Sequence, residues 1–89
     1  MTWSVEFDDR ARKELRKLNP NIQDRILKWI RETLSVNEDP RRVGKSLKGN
    51  MKGLWRYRVG DYRIISQIQD DSILILVIRI GHRKDVYGD

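Results

Sequence analysis

"WRYRVGDYRIISQIQDDSILILVIRI", residues 55–80, is cut by two polar pairs, Gly60–Asp61 and Asp70–Asp71, into three runs rich in aromatic and β-branched side chains. Short polar breaks between such runs are hairpin turns, so the spacing predicts an antiparallel meander with strands over 54–59, 62–69 and 72–80. The last run, "SILILVIRI", is apolar on both faces and is expected to be the central, most buried strand. Period two puts Trp55, Tyr57 and Val59 on one face and Arg56 and Arg58 on the other. In the next strand Tyr62, Ile64, Ser66 and Ile68 share a face, with Arg63, Ile65 and Gln67 opposite.

Upstream, "TWSVEF" (2–7) alternates with Trp3, Val5 and Phe7 on one side, the pattern of a half-buried strand. Asp8 is placed to cap a helix over 9–18, where Ala11, Leu15 and Leu18 recur at spacings of three and four. "NPN" (19–21) ends that helix and opens another, with Asn19 as the cap and Pro20 at the first helical position. Ile22, Ile26, Trp29, Ile30, Thr33 and Leu34 form its buried stripe. Residues 35–53 show turn residues and no sustained period, and read as a mostly irregular basic connection. The fold class is therefore α+β, in the order β-α-α-β-β-β: one domain over 1–89, an antiparallel sheet with an N-terminal helical hairpin packed on one face.

The net charge of +6 is unevenly spread. Residues 1–40 carry eight basic and eight acidic side chains, whereas 41–63 carry Arg41, Arg42, Lys45, Lys48, Lys52, Arg56, Arg58 and Arg63 against Asp61 alone. A solvated face is the ordinary use of surface charge, but this concentration points to a polyanionic partner. Without cysteine there is no disulfide framework, thiol nucleophile or thiolate metal site. No apolar run approaches the roughly 20 residues of a membrane span, and "MTWSVEFDD" lacks the order of a signal peptide, so a soluble cytoplasmic protein without membrane partners is expected.

If the helices cover the aromatic face, Arg56, Arg58 and Arg63 project together from the uncovered one and form a phosphate cradle, because guanidinium groups grip phosphate oxygens bidentately. Gly81 is expected to turn the chain so that "HRKDVY" (82–87) folds back over the sheet edge. Arg83 there is suited to stabilising charge on a phosphate, and Tyr87 to stacking on a base, handling a proton or packing on the edge. Histidine changes charge near neutrality, so His82 fits chemistry or structure equally. One histidine and no cysteine exclude a two-histidine ribonuclease site and disfavour zinc, so neither metal nor cofactor is expected. Catalysis on a polyanion would then rest on electrostatic stabilisation with the substrate's own 2′-hydroxyl as nucleophile, which requires RNA.

The ordered segments "FDDRARKELRKL", "LKGNMKGLWRYRVGDYRIISQI" and "VIRIGHRKDVY" resemble a RelE-type toxin of the RelE/ParE toxin–antitoxin superfamily over nearly the whole chain. The resemblance implies a ribosome-dependent endoribonuclease that cleaves mRNA in the ribosomal A site, leaving a 2′,3′-cyclic phosphate and a 5′-hydroxyl. It implies as partners the ribosome with its 16S rRNA, mRNA and a cognate RelB-like antitoxin. By position, Arg63 corresponds to the arginine at the scissile phosphate, Arg83 to the one stabilising the transition state or leaving group, and Tyr87 to the stacking tyrosine. Arg56 and Arg58 stand where the best-known member carries lysines, one of them proposed as a general base. Arginine is a poor base, so His82, Lys52 or Tyr87 handles the proton, or charge stabilisation carries most of the rate. Arg41, Arg42, Lys45 and Lys48 are then ribosomal RNA contacts. The same superfamily includes ParE-like inhibitors of DNA gyrase that cleave no RNA, and a non-catalytic RNA-binding relative is a third reading.

Overall fold

A computed structural model describes residues 2–86. Strand β1 (Ser4–Phe7) leads through Asp8, whose carboxylate accepts from the Ala11 amide, into helix α1 (Asp9–Arg16). Asn19 caps α2 (Pro20–Trp29), with proline at its start, and the helix loosens into a π-turn over Ile30–Leu34. After a 3₁₀ turn (Pro40–Val43) come β2 (Lys45–Ser46), a second 3₁₀ turn (Gly49–Met51), β3 (Trp55–Val59) and β4 (Tyr62–Gln69). A third such turn (Asp70–Ser72), β5 (Leu74–His82) and the short helix α3 (Arg83–Val86) complete the described chain. No helix among the described residues is long and apolar enough to cross a membrane.

The α+β class and the meander stand as expected, and the sheet has a fifth strand, in the order β1-β5-β4-β3-β2. β1 runs parallel to β5, with Val5 beside Ile75 and Phe7 beside Val77, so the sheet is mixed rather than wholly antiparallel. Everything between them serves as the long crossover that a parallel pair requires. β4, not β5, occupies the centre. β5 is still flanked on both edges and covered on both faces, which accounts for its apolar sequence.

On one face Ala11, Leu15, Ile26, Ile30 and Leu34 from the helical hairpin pack against Tyr57, Val59, Ile64, Ile75, Val77 and Ile80. Each fully buried aliphatic side chain there contributes about 1.5–3 kcal/mol. Val77 and Ile80 share this face although three residues apart, because β5 is bulged: Ile65 opposes Arg79 while Ser66 opposes Val77. The extra residue, Ile78, turns to the other face. Beyond the end of β1, the edge of β5 is closed by α1. Glu14 accepts from the Ile80 amide at 2.9 Å and from Arg79 Nε at 3.1 and 3.2 Å.

The other face is not uncovered. Leu47, Ile65 and Val86, with Met51, Leu54 and Ile78, build a second cluster there. The connection expected to be irregular is pinned down: β2 pairs with Trp55 and Arg56, and the Leu47 amide donates to the Leu54 carbonyl at 3.0 Å. A Cβ on Gly44 would stand 2.6 Å from the Tyr57 ring, so only glycine lets the chain enter β2 at that height. Gly81 does not turn the chain either; it lies within β5, and the turn follows His82. Its missing side chain makes room for Val86, whose Cγ2 stands too close to tolerate a Cβ there.

Candidate nucleic-acid interface

Register brings the basic residues into two rows on the face bearing the second cluster. Lys45 opposes Arg56, which opposes Ile65; Arg58 opposes Arg63, which opposes Gly81. Directly opposed residues share a face with Cβ atoms roughly 5 Å apart, so these side chains are neighbours. The expectation that Arg56, Arg58 and Arg63 all project into solvent is corrected by the cover over this face: Arg56 and Arg63 are 9% and 4% exposed, and Arg58 alone of the three is open. Arg63 Nη1 donates to the carbonyls of Gly60 and Tyr62, both at 3.0 Å, which fixes its guanidinium against the β3–β4 turn.

Arg42, Val43, Gly44, Lys45, Arg56 and Arg58 line an open cleft of 270 Å³. Among the described residues that line it four are cationic and none is a carboxylate, a composition that concentrates positive potential on any anion entering it. Arg42 and Lys45, read from sequence as ribosomal contacts, thus join Arg56 and Arg58 in one depression. Arg41 does not. It grips Asp70 with both terminal nitrogens, at 2.6 and 3.2 Å, approaches Asp39 at 3.4 Å, and lies 5.8 Å from the centre of the Trp55 ring. The hydrogen bond to Asp70 raises the Arg41 pKa, and the same guanidinium lowers that of Asp70. Lys48 and Lys52 are exposed on the connection from β2 to β3, outside the cleft lining.

Arg83 opens α3 in solvent, and its amide donates to the Asp61 carbonyl at 2.8 Å, tying the helix start to the β3–β4 turn. His82 faces the other way. It opposes Tyr62, and the two rings meet edge to face with centroids 5.6 Å apart on the side of the helical hairpin. Its Nδ1 accepts from the Lys84 amide at 3.2 Å, so the imidazole caps α3 rather than joining the arginines. Tyr87 lies outside the described residues. Tyr57 is no substitute: burial pushes its hydroxyl up to about 12, and it donates to the Pro40 carbonyl at 3.1 Å.

Sequence reading missed Arg25, Lys28 and Trp29, which line a second cleft that also contains Arg58. Their spacing of three and four on α2 was the available signal.

Residues 5–87 match the family described as "ParE toxin of type II toxin-antitoxin system, parDE". Together with its relatives this shows that the chain belongs to the RelE/ParE superfamily as a RelE-type toxin. It is 34% identical to Toxin RelG of Mycobacterium tuberculosis over 98% of each chain. It is 31% identical to the mRNA interferase toxin RelE of Escherichia coli, covering 100% of this chain and 94% of that one. Among solved structures, the toxin–antitoxin complex RelBE2 of Mycobacterium tuberculosis contains a chain with TM-score 0.86 and 33% identity, over 96% of this chain and 95% of that one. The isolated Escherichia coli RelE toxin gives 0.70 and 28%, over 97% and 92%.

Proposed function

We propose that this chain is a ribosome-dependent endoribonuclease that cleaves mRNA in the A site and is held inactive by a RelB-like antitoxin. The observation that carries the reading is the cationic cleft in which Arg42, Lys45, Arg56 and Arg58 converge, bordered by the row that holds Arg63. In the reaction the substrate 2′-oxygen attacks the adjacent phosphorus and the bond to the 5′-oxygen breaks. The products are a 2′,3′-cyclic phosphate and a 5′-hydroxyl; the proton lost from the 2′-hydroxyl goes to solvent, and the leaving oxygen gains one. Negative charge accumulates on the phosphoryl oxygens, and guanidinium groups already fixed in place stabilise it without reorganising. Arg63, held by the turn carbonyls, is the preorganised member, while exposed Arg83 meets the leaving side. No step is assigned to a metal ion.

Arg42, Lys48 and Lys52 serve 16S rRNA, and Tyr87 stacks on the substrate base. Arg41 contributes to the scaffold through Asp70. An acidic antitoxin segment laid over the same face blocks RNA by charge and by volume, in keeping with the similarity to a toxin solved with its antitoxin. A protein that acts on ribosomes works in the cytoplasm. The test is expression followed by mapping of mRNA ends on translating ribosomes. Breaks within A-site codons are expected, whereas intact mRNA with poisoned gyrase would overturn the reading in favour of a ParE-like activity.

A further inference from the structure

Arg58 lines two clefts, and only the first has been given a use. The second, of 440 Å³, lies between α2 and the β3–β4 turn, with Arg25, Lys28, Trp29, Glu32, Arg58 and Gly60 in its walls. Helical spacing carries the α2 residues to one side. At the turn, Gly60 has φ +60°, and a Cβ there would stand 2.8 Å from Arg25 Nη2. The glycine thus permits the turn and also lets the Arg25 guanidinium close over it. The carbonyl of the same residue holds Arg63 at 3.0 Å, so one turn positions a cation of the second cleft and the arginine whose row borders the first. Trp29 is half-buried, tilted against Tyr57 with ring centroids 5.6 Å apart, and gives the cleft an aromatic wall. Three cations outweigh Glu32, and cations beside an aromatic face are the elements of single-strand recognition: charge for the backbone, a ring for a base.

We propose that this second cleft is a binding subsite for the RNA strand flanking the cleaved bond, with Arg25 and Lys28 on a phosphate and Trp29 against a base. Resting on the ribonuclease reading, it extends the ligand beyond the scissile step. RNA is favoured over an acidic peptide because Arg58 is common to both clefts, so that a strand lying in the first runs directly into the second.

The test uses fluorescein-labelled oligoribonucleotides carrying 2′-O-methyl groups, which deny the reaction its nucleophile. One is roughly three nucleotides long and one roughly eight, around the footprint of small single-strand binders. Their affinities are measured by anisotropy over a salt series. Arg25→Ala with Lys28→Ala, both exposed and so compatible with an unchanged thermal melt, should weaken the longer oligonucleotide about tenfold. The salt slope should fall by about 0.7, since one phosphate is no longer neutralised, and the shorter oligonucleotide should be unaffected. Unchanged affinity for the longer one, equal loss for both lengths, or loss confined to an acidic antitoxin peptide would each overturn the subsite. Cleavage by the wild-type protein on ribosomes separates the two claims. Its absence defeats the ribonuclease reading, while the anisotropy series still decides whether the second cleft holds RNA.

Discussion

Arg63 is sequestered at 4% exposure while Arg83, two residues beyond the Gly81 that opposes it, stands in solvent. On the proposed reading, the contrast makes Arg63 a fixed phosphate anchor and Arg83 an exposed charge, while His82, turned against Tyr62, serves neither. Arg83→Ala should therefore lower A-site cleavage by about 10²–10³-fold, the usual consequence of losing one transition-state donor. His82→Ala should leave cleavage near wild type and lower the melting temperature by a few degrees, since it removes only a cap and a ring contact. Primer extension on ribosome-bound mRNA and thermal melts measure both, and a cleavage defect in the histidine variant matching that of Arg83→Ala would return the imidazole to the chemistry. Among the described residues lining the first cleft, Lys45 is the one amine beside three guanidinium groups. If it supplies a proton to the leaving 5′-oxygen, Lys45→Arg should keep KM and lower kcat by about 10²-fold or more. Wild-type kcat in that variant would make Lys45 a phosphate contact only. Sequence alternation already separated the arginines from the aromatic face; the direction of His82 depends on β5 continuing past Gly81, which no local pattern reveals.

Among the elements, the meander and helical hairpin were legible because periods of two and three to four run through each of them, and the caps Asp8 and Asn19 mark both helix starts. β2 was not legible, since two residues have no period and exist as a strand only through Arg56 and Trp55 opposite. The bulge beside Ile65 was hidden for the same reason: it is a mismatch between strands. α3 depends on Gly81, so Gly81→Ala, by forcing a methyl group against Val86, should cost about 1–3 kcal/mol and reduce cleavage as Arg83 shifts. A melting temperature equal to wild type would show that α3 does not rest there. The 3₁₀ turn at Pro40–Val43 is fastened to the β4–β5 turn by Arg41 and Asp70. Arg41 holds the Asp70 carboxyl below its ordinary 3.8, so the clamp stabilises the fold above that value and loses its effect as pH falls through the lowered one. Asp70→Asn should accordingly narrow the melting-temperature gap from wild type as the solution is acidified, and a gap constant with pH would exclude the clamp.

For the whole molecule, the charge segregation that first pointed to a polyanion becomes a geometric statement. Residues 41–63 supply β2, β3 and the start of β4, and their cations gather on one half of the sheet because those strands are adjacent in the order β1-β5-β4-β3-β2. The burial of Arg56 and Arg63 was illegible because it depends on α3 and the segment around Leu47 folding onto a face that the strands alone leave open. The exposed cations, by contrast, remain in solvent and act through the long-range field. Lys48 and Lys52 are the cleanest probes, being exposed and outside the first cleft. Replacing both with alanine should weaken ribosome binding mainly at low ionic strength, where screening is least, and reduce the dependence of log affinity on log salt by about one to two units. Because neither residue lines the cleft, kcat at saturating ribosomes should stay near wild type. A loss of binding independent of salt would assign these lysines to packing, and a fall in kcat would place them in the reaction itself.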